Sequence, residues 1–357
     1  MTVSLSARAP VRLAQVGMGS WGRDWMAVTA AEPGVRIVGY VDPSAEARAA
    51  TLADGATPAQ VFPDLETALR AGGADAALVT TAVESHVPVA LDALAAGLHV
   101  LVEKPFAPTL DEAAAVVRAA DAAGRTLMVS QNYRYHPAPR LAAAMVARGE
   151  IGAVAGVEVD FRRHPIRRLE WAARHRAMSQ PLLADMAIHQ FDLLRLVLGR
   201  EPVWVEIEPM PLPSSGYRDP PAAFGLLSFE DGVAVSYRGS WVSRGRPTPW
   251  GGEWRLAGTD GAMEWASRGD RGVPDRLRLR TAGGALRPVA LPVVEALDRA
   301  GALAAFVEAV RTGAEPETSG RRNLSTLALT IAAIRSATER RRIAVAELLD
   351  DLPEDLR

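Results

Sequence analysis

The chain contains no cysteine and only one lysine. Without cysteine there can be no disulfide framework, no thiolate zinc site and no thiol nucleophile, which is typical of a reducing compartment and predicts a cytoplasmic protein. Among the 40 cationic side chains Lys104 is the one lysine, and all the others are arginines. Lys104 is therefore either an accident of composition or a position that needs something a guanidinium cannot do.

Long apolar runs and an excess of one charge are also missing. No stretch reaches the roughly 18 apolar residues that a membrane span needs, and the start MTVSLSARAP lacks a basic segment followed by an apolar run, so we expect neither insertion nor export. The formal net charge of -2 argues against bulk attraction to nucleic acid or to an anionic membrane. With 357 residues, 48% of them hydrophobic, the chain can form about two folded domains.

The first third of the chain alternates short apolar runs with helical patterns. Thr109 and Glu112 form a capping-box pattern, and Gly124 follows the last turn of the helix that they begin. This alternation predicts an α/β fold over residues 10–131, a doubly wound parallel sheet of the Rossmann type that binds a dinucleotide. The predicted strands are 11–16, 35–41, 75–82, 99–103 and 126–131.

The pattern then changes to strands joined by turn signals. Asp231-Gly232 and Asp260-Gly261 are hairpin signals. They predict an α+β domain over residues 132–357 with a largely antiparallel sheet. Its strands fall within 153–164, 203–210, 222–241, 253–265 and 276–283, and its helices near 183–198, 295–312 and 321–341.

A glycine-rich turn joins the first predicted strand to the first helix. Gly17, Gly19 and Gly22, with Ser20 and Trp21 between them, fit the dinucleotide-binding pattern G-x-G-x-x-G in its proper context. Asp42 ends the second strand, where a carboxylate can accept hydrogen bonds from the adenosine ribose. No arginine is adjacent to it, so we expect NAD(H), with NADP(H) less favoured. The alternatives are a turn without a ligand and an aspartate that serves only the turn before Pro43.

Four segments, GMGSWG, VDP, TTAVESHVPVALDALAAGLHVLVEKP and LLADMAIHQFDLL, follow one another in the order of known family motifs. In this order they resemble the glucose-fructose oxidoreductase, inositol dehydrogenase and MocA (Gfo/Idh/MocA) family. The most specific parts are Glu103-Lys104-Pro105 and Asp185-x-x-x-His189. The resemblance implies that Lys104 and His189 act at the substrate carbon beside the nicotinamide and that Asp185 assists them.

The same resemblance implies a cleft between the two domains and an oligomer, a dimer or tetramer, built through the sheet face of the second domain. It places Thr81, His86, Glu103 and Lys104 at the cofactor. Substrate-binding candidates are Lys104, Asn132, Arg134, Trp171, Asp185 and His189.

The residues themselves support part of this picture. A spacing of four places Asp185 and His189 on one helix face, and a histidine is suited to accept the proton of an alcohol as hydride leaves its carbon. Asp185, His189 and Asp192 could instead be metal ligands, although a fourth ligand is not apparent and no metal is expected. Ser85-His86 are adjacent and do not normally face one another, which disfavours a nucleophile and base.

An arginine-rich segment precedes the Asp185 helix. It could bind a carboxylate, a phosphate or a nucleotide-linked sugar, or it could be a solvated or subunit-contact segment. Ser179-Gln180-Pro181 replaces the glycines that the family often has before this helix, so the shape of the loop and the substrate preference stay open. The arginines of the segment are Arg162, Arg163, Arg167, Arg168, Arg174 and Arg176.

These patterns lead to one main hypothesis, an NAD(H)-dependent dehydrogenase or reductase. Its substrate would be a small, possibly anionic molecule, with a secondary alcohol or ketone in a sugar, cyclitol or glycoside. One alternative is a glycoside-cleaving enzyme that oxidises its substrate transiently and regenerates NAD. The other is a regulator that senses a nucleotide without catalysis.

Overall fold

The computed structural model describes residues 9–164, 173, 175–270 and 273–356. Trp171, Arg167, Arg168 and Arg174 therefore lie outside the described residues. The chain forms two compact units. One runs to Asn132 and also contains Arg299–Asn323, and the other consists of Tyr133–Asp298 and the residues from Leu324 onward. The assignment of functions to residues 10–131 and 132–357 stays a prediction.

The first unit contains a six-stranded sheet in which every strand pair is parallel. Its order is β3-β2-β1-β4-β5-β6, so the chain passes from one side of β1 to the other between β3 and β4. This arrangement confirms the predicted doubly wound fold, whose ligands bind at the carboxyl ends of the strands beside that reversal. The strands are β1 (Val11–Val16), β2 (Val35–Val41), β3 (Val61–Phe62), β4 (Ala76–Val79), β5 (His99–Val102) and β6 (Leu127–Val129).

Helices separate these strands, as the sequence predicts. The last of them begins after Thr109, whose hydroxyl oxygen accepts a hydrogen bond from the backbone N–H of Glu112 at 3.2 Å, and ends at Gly124 with φ of 60°. Both caps confirm the sequence signals. The helices are α1 (Ser20–Ala31), α2 (Ala45–Ala53), α3 (Leu65–Gly72), α4 (His86–Ala95) and α5 (Leu110–Ala123).

The second unit contains a nine-stranded sheet. Its order is β14-β13-β12-β11-β7-β10-β9-β8-β15, and all its pairs are antiparallel except β7 with β10. The hairpins at Asp231-Gly232 and Asp260-Gly261 are confirmed. The strands are β7 (Val154–Arg162), β8 (Pro202–Met210), β9 (Ala222–Phe229), β10 (Ala234–Ser240), β11 (Glu253–Gly258), β12 (Gly261–Ala266), β13 (Arg276–Thr281), β14 (Arg287–Val289) and β15 (Ile343–Ala344).

Helical segments complete the described chain. A π-helix, Pro181–Ala187, leads directly into the helix that carries His189. Among the described helices, none has the length and apolar character that a membrane span requires. The helices are α6 (Pro137–Ala147), α7 (Ile188–Leu198), α8 (Asp298–Thr312), α9 (Gly320–Glu339) and α10 (Ala346–Leu349).

Candidate active site

The turn after β1 depends on glycine at two positions because of close packing. Gly17 has φ of +97°, and a Cβ atom added there would lie 2.5 Å from the backbone nitrogen of Thr81. A Cβ atom on Gly22 would lie 1.9 Å from the carbonyl oxygen of Gly17. Neither clash can be relieved by a side-chain rotation, since both involve backbone atoms. These two glycines hold the turn between β1 and the loop after β4.

Gly19 differs from these two glycines because it faces open space. No atom of the described chain, apart from its immediate neighbours, lies within 4 Å of a Cβ atom built there. Gly19, Ser20 and Trp21 are exposed at the start of α1, whose first N–H groups lack partners within the helix. This open space beside helical N–H groups fits a pyrophosphate, so the residues present fit a dinucleotide cofactor. Arg299 lies over the ring of Trp21, 4.7 Å from its centroid.

Asp42 follows β2 and holds the glycine turn in place. One carboxylate oxygen accepts from the backbone N–H of Met18 at 2.7 Å, and the other accepts from that of Ser44 at 2.8 Å. Each oxygen can accept a further hydrogen bond. The predicted contact with ribose hydroxyls is therefore compatible with the turn function, and one role does not exclude the other.

An arginine lies closer to Asp42 than the sequence indicates. Helix α2 turns the chain back, and Nη1 of Arg48 donates to the carbonyl oxygens of Asp42 and Pro43, both at 2.8 Å. The expectation that no arginine is adjacent holds along the sequence but is wrong in space, because six residues of turn and helix return Arg48 to the end of β2.

The backbone of Lys104 is fixed by a buried carboxylate. Glu103 is 5% exposed, and its Oε1 accepts from the indole N–H of Trp25 at 2.9 Å. Its Oε2 accepts from the backbone N–H of Lys104 at 3.2 Å. Lys104 follows β5 and so lies at the carboxyl edge of the sheet, where the glycine turn also lies. The contacts of Glu103 give it a positioning role toward Lys104.

His86 connects two loops at that edge. One ring nitrogen lies 2.8 Å from the carbonyl oxygen of Pro105 and the other lies 3.1 Å from that of Thr81. Burial lowers the pKa of His86, which favours the neutral ring. The cofactor roles predicted for His86 and Thr81 stay predictions, and the structure adds that His86 ties the lysine turn to the loop after β4.

In the second unit, His189 lies flat against an aromatic ring. The rings of His189 and Tyr133 are 3.8 Å apart at an interplanar angle of 4°. Nη1 of Arg268 donates to the Tyr133 hydroxyl at 3.1 Å, and its guanidinium carbon lies 4.5 Å from the ring centroid. Burial raises the pKa of Tyr133 to about 12, so its hydroxyl stays protonated. Tyr133 thus fixes the plane of the imidazole.

Asp185 lies in the π-helix and contacts a second histidine. Its Oδ2 is 3.4 Å from Nε2 of His175, whose Nδ1 is 3.2 Å from the hydroxyl of Tyr217. His175 is buried and packs edge-on against Trp241 at 4.8 Å between ring centroids. No sequence pattern pointed to His175, because it stands ten residues before Asp185 in an arginine-rich segment.

Arg134 and Asp192 form a buried ion pair. Nε and Nη2 of Arg134 donate to the two carboxylate oxygens of Asp192 at 2.6 and 2.9 Å, and Thr326 donates to the same carboxylate at 3.4 Å. These bonds favour a structural role for both residues, so substrate binding by Arg134 and by the buried Asn132 stays a prediction. Among the residues that the structure describes, no three His, Asp or Glu side chains are grouped to hold a metal ion.

The fold and these residues define a class of protein. A doubly wound sheet whose first turn carries the dinucleotide-binding glycine pattern is typical of a nucleotide-dependent oxidoreductase. Residues 11–131 match the family described as "Oxidoreductase family, NAD-binding Rossmann fold", and residues 139–264 match the "GFO/IDH/MocA C-terminal domain". The chain belongs to the Gfo/Idh/MocA family of oxidoreductases.

Several proteins resemble this chain over nearly its whole length. D-apiose dehydrogenase of Paraburkholderia graminis is 29% identical, covering 95% of this chain and 91% of that protein. Inositol 2-dehydrogenase of Rhizobium meliloti is 27% identical, covering 94% of this chain and 99% of that protein. An oxidoreductase from Agrobacterium radiobacter, solved with NAD+, L-tartaric acid and magnesium, has a TM-score of 0.82 at 22% identity, covering 95% of this chain and 99% of that one. This last likeness shows the shared fold.

Proposed function

We propose that this oxidoreductase transfers hydride between NAD(H) and a secondary alcohol or ketone of a sugar or cyclitol. The observation that carries the proposal is the turn at the carboxyl edge of the parallel sheet, where buried Glu103 fixes the backbone of the chain's one lysine. The names of the relatives, D-apiose dehydrogenase and inositol 2-dehydrogenase, support the substrate class.

The proposed chemistry assigns one task to each side chain. The glycine turn and Asp42 would hold NAD, which would supply the hydride acceptor. His189 accepts the hydroxyl proton, with its ring held in plane by Tyr133. Lys104 donates a hydrogen bond to the same oxygen and stabilises the negative charge that develops there. Asp185, held by His175, assists by accepting a hydrogen bond from a neighbouring hydroxyl. In reduction the proton returns from His189 to the carbonyl oxygen.

The test is turnover of a polyol panel containing myo-inositol, D-apiose and common hexoses, with NADH followed by absorbance. Stoichiometric NADH and ketone, or NADH and lactone where an anomeric carbon reacts, would support the proposal. Cleavage of a glycoside without net NADH would favour the transient-oxidation alternative. Tight NAD binding with no turnover of any panel member would favour a nucleotide sensor.

We propose NAD(H) as the preferred cofactor because the Asp42 carboxylate would repel a 2'-phosphate. Asp42→Ala should weaken NAD binding at least about 10-fold more than NADP binding, since charge-assisted hydrogen bonds to the ribose are lost. Both cofactors should weaken somewhat, because Asp42 also holds the backbone of Met18. Fluorescence titration measures both dissociation constants, and their ratio is the result that matters.

Arg48 offers a matched control for this experiment. Arg48→Met removes a cation beside Asp42 and leaves the carboxylate in place, so it should weaken NADP binding more than NAD binding. An Asp42→Ala variant with the parent's ratio of affinities would show that Asp42 serves only the turn.

We also propose that the protein self-associates through the outer face of the nine-stranded sheet. This face has a groove of about 890 Å³, with exposed Phe224 and Leu226 between rows of opposite charges. Its ion pairs are Arg255–Glu158, Arg278–Glu264 and Arg342–Glu206. A surface that carries both signs can pair with a second copy of itself by two-fold symmetry.

Sedimentation equilibrium tests the self-association. The parent should be a dimer or tetramer, and Leu226→Glu should shift it toward the monomer, because a buried charge without a partner opposes assembly. Val293→Glu changes an exposed apolar residue outside the sheet strands and should leave the assembly unchanged. A monomeric parent, or a Leu226→Glu variant of unchanged mass, would contradict the proposal.

A further inference from the structure

Arg163 is a buried arginine whose guanidinium is only partly used. It follows β7 and is 8% exposed. Nη1 donates to both carboxylate oxygens of Asp270 at 3.0 and 2.9 Å, and the guanidinium carbon lies 4.3 Å from the ring centroid of Trp250. Among the described residues, the buried Nε and Nη2 have no hydrogen-bond partner. The flat face of the guanidinium and its Nη1 thus contact neighbouring residues, whereas the edge formed by Nε and Nη2 has no hydrogen-bond acceptor among the described residues.

The same edge binds carboxylates elsewhere in this chain. Nε and Nη2 of Arg134 hold Asp192 at 2.6 and 2.9 Å, and those of Arg195 hold Glu201 at 2.7 and 2.6 Å. The two parallel N–H bonds of this edge match the two oxygens of a planar carboxylate. Leaving them buried without an acceptor costs free energy. The Nε/Nη2 edge of Arg163 therefore has the geometry to bind a carboxylate, and binding one would satisfy two buried N–H donors.

Arg163 lies on the side of the sheet that carries the proposed catalytic residues. Phe161, two positions earlier, is buried, whereas Arg162 between them pairs with Glu253 on the outer face at 2.9 Å. The ring of Trp250, which lies against Arg163, is 6.0 Å from that of Trp241, and the Trp241 ring is 4.8 Å from that of His175, the partner of Asp185. A continuous set of aromatic contacts therefore connects Arg163 with the His175–Asp185 pair.

We propose that the Nε/Nη2 edge of Arg163 binds a carboxylate of the substrate, so the enzyme acts on sugar acids rather than on neutral sugars. The reaction of such a substrate rests on the proposed function, whereas the binding site at Arg163 does not depend on it. Asp270 already balances the charge of Arg163, so a planar monoanion suits the edge better than a phosphate dianion. The substrate would carry a carboxylate on the same molecule as the hydroxyl that loses hydride.

Binding to the enzyme–NADH complex tests this without turnover. Isothermal titration compares acids with neutral partners that differ only at the carboxylate: D-galacturonate with D-galactose, D-glucuronate with D-glucose, and D-gluconate with D-sorbitol. At least one acid should bind at least about 10-fold more tightly than its partner, and Arg163→Met should abolish that difference. Galactose 6-phosphate serves as the phosphate probe.

Two further variants and a folding measurement make the result interpretable. Arg163→Lys keeps the charge but loses the paired donors, so it should lose most of the preference for acids; a lysine variant with the parent's affinity would overturn the proposal. Arg200 forms an ion pair with Asp231, and Arg200→Met should leave the preference for acids unchanged. Circular dichroism checks folding of each variant.

The outcomes separate this inference from the proposed function. Neutral partners that bind as well as the acids, a phosphate that binds better, or no binding of any acid would overturn the carboxylate site, even if polyols are oxidised. Acid binding lost in Arg163→Met, with no oxidation of any substrate, would support the site and contradict the proposed reaction.

Discussion

Lys104→Arg should lower kcat by at least about 100-fold, the lower end for a positioned proton-transfer group, while the protein still folds and binds NAD. The substitution conserves charge. Lysine is a compact point donor on a flexible stem, whereas the guanidinium of arginine is planar and forked. The structure adds a geometric reason, because the Glu103 carboxylate fixes the backbone from which the side chain begins. This bond opposes any shift of the turn that would make room for the longer, forked side chain of arginine.

Steady-state turnover on an identified polyol measures this effect, with NAD binding checked separately by fluorescence. Lys104→Met should be similarly inactive, because it keeps the length of the stem and removes the donor. An arginine variant within a few-fold of the parent would show that the chain's one lysine is an accident of composition.

His189→Ala should lower kcat by roughly 10²- to 10⁴-fold, the range for a general base, and leave NAD affinity nearly unchanged. The residues proposed to bind NAD belong to the first unit, so loss of an imidazole in the second should not alter them. Turnover and cofactor titration together measure the two effects. Near-normal turnover would show that His189 only packs against Tyr133 and does not act as the base.

Two comparisons separate proton transfer from packing in that experiment. Added imidazole should restore part of the activity of His189→Ala, because the vacated space beside Tyr133 admits a free ring. His189→Phe preserves the stacked pair but cannot accept a proton, so it should remain inactive. Activity in the phenylalanine variant would contradict a general-base role.

Much of the fold was predictable because the chain's local signals agree with its tertiary structure. The first two strands have the predicted bounds, Val11–Val16 and Val35–Val41, since each is a mainly apolar run that ends at a turn residue. The two-residue strands Val61–Phe62 and Ile343–Ala344 were missed. So short a strand has no periodicity, and only its neighbours in the sheet define it.

The site was predictable where its chemistry lies in one segment. The glycine turn and the Lys104 turn each follow a strand, so both could be located from sequence. Arg48 and His175 were not found, because they reach Asp42 and Asp185 through tertiary contacts that no local pattern encodes. The spacing of Asp185 and His189 indicated an α-helix, but Asp185 lies in a π-helix, which differs by one residue in each hydrogen-bonded turn.

That π-helix constrains how this segment can be exchanged between relatives. A π-helical turn accommodates one residue more than an α-helical path requires, and such turns are frequent at functional sites. Deleting one residue within Pro181–Ala187 would remove that extra residue and convert the turn to α-helical bonding, so side chains inside the turn, Asp185 among them, would change direction while the chain on either side keeps its path. A chimera built to alter substrate choice should therefore transfer Pro181 through Leu198 as one cassette. An alignment with a gap inside this cassette would pair Asp185 with a residue whose side chain faces another direction.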